Sequence, residues 1–164
     1  MGHFAFLQAE WPAVYEAAER AESLASADAR AACFYARRGL EIAVQWLYRH
    51  DPALRLPYQD HLSALIHEPT FRNAVGTAVF NKARVIKDLG NLAVHSHRVV
   101  RSIDAVTAVR ELFHLCFWLA RTYARGAKPP DGLAFQPDTL PKAVAGAPQS
   151  IEQLHRLEAQ LRER

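Results

Sequence analysis

Asn91 and His95 stand four residues apart, directly after Gly90, within the stretch Lys87 to His95. Four residues are one helical turn, so in a helix both side chains share a face. An imidazole can move protons, and an amide can orient a hydrogen-bonded partner. These two residues are the candidates for catalysis. The stronger reading is that they are packing groups. In that reading they hydrogen-bond across a helix pair to Arg38 and Glu41, which share a face at i, i+3. The four then form a satisfied polar cluster that sets helix register. His95 and His97 flank Ser96, but no Cys or convincing carboxylate set accompanies them, so no metal site is expected.

A second candidate is electrostatic. The net charge of the 164-residue chain is only +3. Yet Lys82, Arg84, Lys87, Arg98 and Arg101 fall in one window with a single acid, Asp88. Such an edge can attract a polyanion such as DNA or RNA, or it can be an ordinary solvated helix edge. Phe113, Phe117, Trp118 and Tyr123 recur at helical spacing, which points to core packing rather than a base-stacking platform.

The elements that must position these groups read as helices. Pro12 suits the first turn of a helix over Trp11–Leu24, with Val14, Ala17, Ala18 and Ala21 on its apolar face. Ser26 to Asp28 offers caps for a helix reaching His50, where Asp51-Pro52 stops it. Gly39 in its middle costs about 1 kcal/mol against Ala and implies a close neighbour. Short helices are expected over Tyr58–His67 and from Pro69 to Gly76. A longer one spans Ala78–Leu89, with Gly90 as terminator or kink. Asp104 sits in the first turn of a helix from Ser102 to about Arg125, ended by Gly126 and Pro129-Pro130.

The expected organisation is an all-α bundle over 1–125, a Pro/Gly/Ala linker over 126–149 with few packed contacts, and the start of a coiled-coil helix over 150–164. Ser150 and Gln153 form a capping box. Ile151, Leu154, Leu157 and Leu161 make a coiled-coil-like stripe, a candidate homodimer contact. The helical pattern is still under way at Arg164, so an N-terminal piece of a longer protein is expected.

Half of the residues are hydrophobic, enough for a real core. The apolar run Leu115–Ala120 is far too short to span a membrane, and Met1 to Phe4 lacks the pattern of a secretory signal. Cys33 and Cys116 are isolated in amphipathic patterns, as expected of core thiols in a reducing, cytoplasmic setting.

The segments Phe4–Trp11, Ala36–Glu41, Leu62–His67, Lys87–His95 and Arg110–Phe113 resemble the N-terminal domain of type I restriction enzyme R subunits. That domain is similar to the HEPN helical domains, so the resemblance implies a HEPN-like helical bundle over about residues 4–142. It also implies a parent protein that is an ATP-dependent translocase and endonuclease, uses ATP and Mg²⁺, and acts with methylation and specificity subunits. The chain itself has no Gly-x4-Gly-Lys-Ser/Thr phosphate loop and no evident nuclease motif. No cofactor is therefore expected in these residues, and the expected role is a non-catalytic accessory domain that docks on a partner subunit or contacts nucleic acid. Nucleolytic HEPN members pair an Arg and an adjacent polar residue with a His. Asn91 and His95 match the latter two, but Gly90 stands where the Arg belongs. A HEPN-like ribonuclease or nucleotide-binding domain is the first alternative, and a dimerisation module is the second.

Overall fold

The computed structural model describes residues 2–142 and 149–162. It is all-helical: α1 (Pro12–Leu24), α2 (Ala29–His50), α3 (Leu62–His67), α4 (Pro69–Val75), α5 (Thr77–His95), α6 (Ser102–Tyr123) and α7 (Ile151–Arg162), with 3₁₀ turns at Ala5–Leu7 and Pro137–Thr139. Among the described residues no strand occurs, and no helix is long and apolar enough to cross a membrane.

Local chemistry sets most boundaries. Pro12 occupies the first turn of α1. The Ala31 N–H donates to Asp28 Oδ1 at 3.1 Å, capping α2. Glu68 and Pro69 open α4. Gly76 joins α4 to α5 at φ +87°, where a side chain would be strained. Asp104 Oδ2 accepts from the Arg101 N–H at 3.0 Å and starts α6. The Ser150–Gln153 box forms as expected, with reciprocal bonds of 2.7 and 3.1 Å.

Helix α2 lies at the centre, packed against α1, α5 and α6. Its small residues Ala32, Ala36, Gly39 and Ala43 are buried and let neighbouring backbones approach. A Cβ on Gly39 would stand 3.3 Å from Leu112 Cδ2 and 3.8 Å from the Ala18 backbone nitrogen, the close neighbours its position implied. Phe113 is buried among Phe4, Phe6, Phe117 and Phe135, while Trp118 and Tyr123 pack on the same core. The aromatic helix is therefore a packing element. Cys33 and Cys116 are both free and buried, and burial pushes the Cys33 thiol up to about 12, away from reactivity.

Three expectations change. Helix α5 does not stop at Leu89; it runs through Gly90 to His95. Gly90 is an approach site, because a Cβ there would overlap the Cβ of Arg37 and lie 2.7 Å from its Cδ. The glycine lets α2 and α5 cross closely.

The stretch 126–142 is not a loose linker. Leu133, Phe135 and Leu140 pack on the core. The Arg125 and Gly126 N–H groups donate to the Glu10 carboxylate at 2.9 and 3.1 Å, and Arg121 holds the Pro129 carbonyl and Asp131 at 2.9 and 2.5 Å. The Gln136 N–H donates to His3 Nε2 at 3.0 Å, which leaves the ring proton on Nδ1 facing the buried Glu22. Pro/Gly/Ala composition foretold absent regular structure, not absent packing.

Finally, α7 docks on its own bundle. Leu154 is wholly buried in a cluster with Ala31, Phe34 and Val94, beside the half-buried Leu157 and Leu161. Of the stripe expected to face a second copy, Leu154, Leu157 and Leu161 pack within the chain. The expectations for 143–148 and 163–164 lie outside the described residues.

Candidate functional site

The polar groups singled out in the sequence lie where α2, α5 and α7 meet. Arg38 and Glu41 pair as expected on α2, Nη1 to Oε1 at 2.9 Å. They do not bind Asn91 or His95. The residue that crosses to α5 is Arg37: its Nη1 donates to Asn91 Oδ1 at 2.6 Å. Its Nη2 donates to Glu158 of α7, and its guanidinium lies 5.9 Å above the Phe34 ring. The Arg37 and Glu158 side chains are only 13% and 17% exposed. His95 follows Asn91 by one turn, is exposed, and has its ring 5.7 Å from that of His155. His155 Nε2 in turn donates to the Val94 carbonyl at 2.6 Å. The expected four-residue cluster is thus corrected to Arg37–Asn91–Glu158, with Arg38–Glu41 alongside and His95 at the rim. The helix phase explains it: the side chain facing Gly90 is that of Arg37.

The basic edge divides. Lys82 Nζ donates to Glu111 Oε2 of α6 at 2.9 Å. Burial works against the Glu111 carboxylate, but hydrogen bonds and charge from Lys82 and Arg110 outweigh it, and its pKa falls below the ordinary range. Nearby His114 is also shifted down, by burial first and then by Lys82. Lys87 contacts Asp88 at 3.2 Å. Arg84 lies 5.8 Å from the Phe80 ring. These residues sit along α5, whereas Arg98 and Arg101 sit on the α5–α6 turn. Thirteen helical residues, roughly 20 Å, separate Lys82 from the end of α5. The five cations form no single stripe.

The α5–α6 turn is held from beneath by Arg30 of α2. Its Nη1 donates to the carbonyls of Ala93 and Ser96 at 2.6 and 2.8 Å, and Nη2 donates to that of Arg98 at 2.6 Å. The turn so fixed carries Val99 at 81% exposure, and the first turn of α6 carries Ile103 at 57%, interleaved with exposed Arg98 and Arg101. Neither Arg30 nor Arg37 was singled out in the sequence. Their two-turn spacing on α2 was the available signal.

For the ATP and Mg²⁺ of the resembled parent, these residues do not fit. The chain has no phosphate loop. Among the described residues no group of three His, Cys, Asp or Glu stands together to hold a metal.

Residues 19–163 match a family model described as a domain of unknown function, DUF4145, and the chain belongs to that family. No curated protein and no solved structure matches it.

Proposed function

We propose that this chain is a non-catalytic docking domain, the N-terminal accessory domain of a cytoplasmic type I restriction enzyme R subunit, and that it engages a partner subunit through the α5–α6 turn. The observation that carries the reading is the Arg30 clamp. Three charge-assisted hydrogen bonds to backbone carbonyls hold in place a turn that, together with the start of α6, offers two exposed apolar side chains and two cations. Exposed apolar side chains grouped together and rimmed by polar residues mark interaction sites, and arginine is enriched at protein interfaces. A pre-ordered turn also loses less entropy on binding. A protein partner with an acidic rim suits this surface better than a phosphate backbone does, because Val99 and Ile103 offer phosphates nothing. Lys82 and Lys87, moreover, already have carboxylate partners.

The test is a binding titration of the chain against an assembled methylation–specificity complex, with labelled duplex DNA run in parallel at low and near-physiological salt. The complex should bind, and V99D/I103D should abolish binding while the fold persists. Salt-sensitive DNA retardation without subunit binding would replace docking by phosphate contact. Binding to neither overturns the reading.

A further inference from the structure

We propose that Arg37, Arg38 and Asn91 form a binding site for a phosphate group, covered in this structure by α7, with the Glu158 carboxylate standing in the anion's place. The site is separate from the α5–α6 turn and does not rest on the docking reading.

The cover is slight. Of the twelve residues of α7, Leu154 alone is wholly buried. The remaining ties are the half-buried Leu157 and Leu161 on the same cluster, the Arg37–Glu158 pair, the His155–Val94 bond, and a 2.7 Å bond from the Gln149 N–H to Asp28 Oδ2. A helix of this length is marginal in water on its own, so its order depends on these contacts. Its outer face, with Glu152, Gln153, Arg156, Ala159 and Gln160, is solvent.

What lies beneath is built for an anion. Arg37, Arg38 and Glu41 border one small cavity with Glu158 and Arg162. Glu158 touches Arg37 through Oε2 and approaches Arg162 at 3.8 Å through Oε1. When α7 lifts, two guanidinium groups remain against the single carboxylate of Glu41. Asn91 gives its Oδ1 to Arg37, so its Nδ2 hydrogens are free to donate to an arriving oxygen. Exposed His95, one turn on, adds a ring nitrogen at the rim. A guanidinium binds a phosphate with the same forked geometry it uses for a carboxylate, and a phosphate brings more charge and more acceptors. Stability alone does not account for the arrangement. A part-buried ion pair gains little over a well-packed apolar pair, and placing Arg37 there requires a glycine inside α5. The proposal concerns binding and assigns no cleavage.

Calorimetric titration of the whole chain with inorganic phosphate tests it, followed by 5′-phosphorylated and unphosphorylated single-stranded oligonucleotides. E158Q removes the internal competitor and should bind phosphate roughly tenfold more tightly than the wild type. L154A loosens α7 without changing charge and should tighten binding in the same direction. E158Q/R37M should lose at least the gain made by E158Q, with thermal melting to show that each variant folds. Phosphate affinity unchanged in both E158Q and L154A overturns the proposal, as does E158Q/R37M retaining the E158Q affinity. Preference for the 5′-phosphorylated strand would identify a nucleic-acid end as the phosphate source, and binding of inorganic phosphate alone a free anion; both support the site. V99D/I103D should leave these titrations unchanged, so failure of the docking surface and failure of the phosphate site are separately visible.

Discussion

Arg30 and Arg37 stand two turns apart on α2, and both send a guanidinium toward α5, yet they do opposite things. Arg30 spends its donors on the carbonyls of Ala93, Ser96 and Arg98. All three acceptors are backbone, Ala93 in the last turn of α5 and Ser96 and Arg98 in the turn itself, so the clamp makes the turn part of the rigid bundle. Arg37 spends its donors on two side chains, Asn91 and Glu158, and the second belongs to a short helix with one wholly buried leucine and two half-buried ones. That pair can exchange. An arginine on backbone carbonyls fixes a surface; an arginine on a carboxylate from a weakly held element leaves a replaceable partner.

The largest perturbation should come from closing the α2–α5 crossing. Gly90→Leu puts a side chain where Arg37 already stands, and overpacking of this kind is expected to cost about 3 kcal/mol, read as a lower urea midpoint. An unchanged midpoint would mean that the crossing is looser than described.

Arg30→Met keeps the stem and removes the donors. It should cost about 1–2 kcal/mol and speed amide exchange across residues 96–101, leaving α7 protected. Equal loosening of α7 would dissolve the contrast between the two arginines.

Acid should act on a third place, the Lys82–Glu111 pair. The folded Glu111 pKa lies below the ordinary carboxylate value of 4.5, so its contribution is present above that pH and is lost as pH falls through the folded value. His114, depressed from 6.5, works in the same sense: the unfolded chain takes up its proton first, so stability declines as pH drops below 6.5. Denaturation midpoints from pH 7 to 4 should fall accordingly. Glu111→Gln should flatten the lower part of that curve, by about 1 kcal/mol or less after solvent screening.

The smallest stability effect belongs to the exposed turn. Val99→Ser with Ile103→Ser should move the folding free energy by no more than about 0.5 kcal/mol. The same change should abolish partner binding, which separates a surface kept for recognition from one kept for stability.

The all-α architecture was legible in the residues, and so were most helix ends. Pro12, Asp28, Asp51-Pro52, Pro69 and Ser150 act within a turn of where they stand, through missing donors, restricted φ or a capping oxygen. Gly39 also announced a close neighbour, because a helix-interior glycine is costly without one. The cysteines and the aromatic stripe read correctly as core for the same periodic reason. Other features were decided only by tertiary approach. Gly90 reads identically whether it ends a helix or admits a crossing side chain. Neighbouring Arg37 and Arg38 differ by about 100° around α2, and only the packing angle shows which one meets Asn91. The apolar residues of 126–142 and the α7 stripe record that something must cover them, but not whether it comes from this chain or another. Capping and periodicity are local and are written in consecutive residues. Partner choice depends on contacts between elements 54 to 121 residues apart, as in Arg37–Asn91 and Arg37–Glu158, which exist only once the bundle has closed.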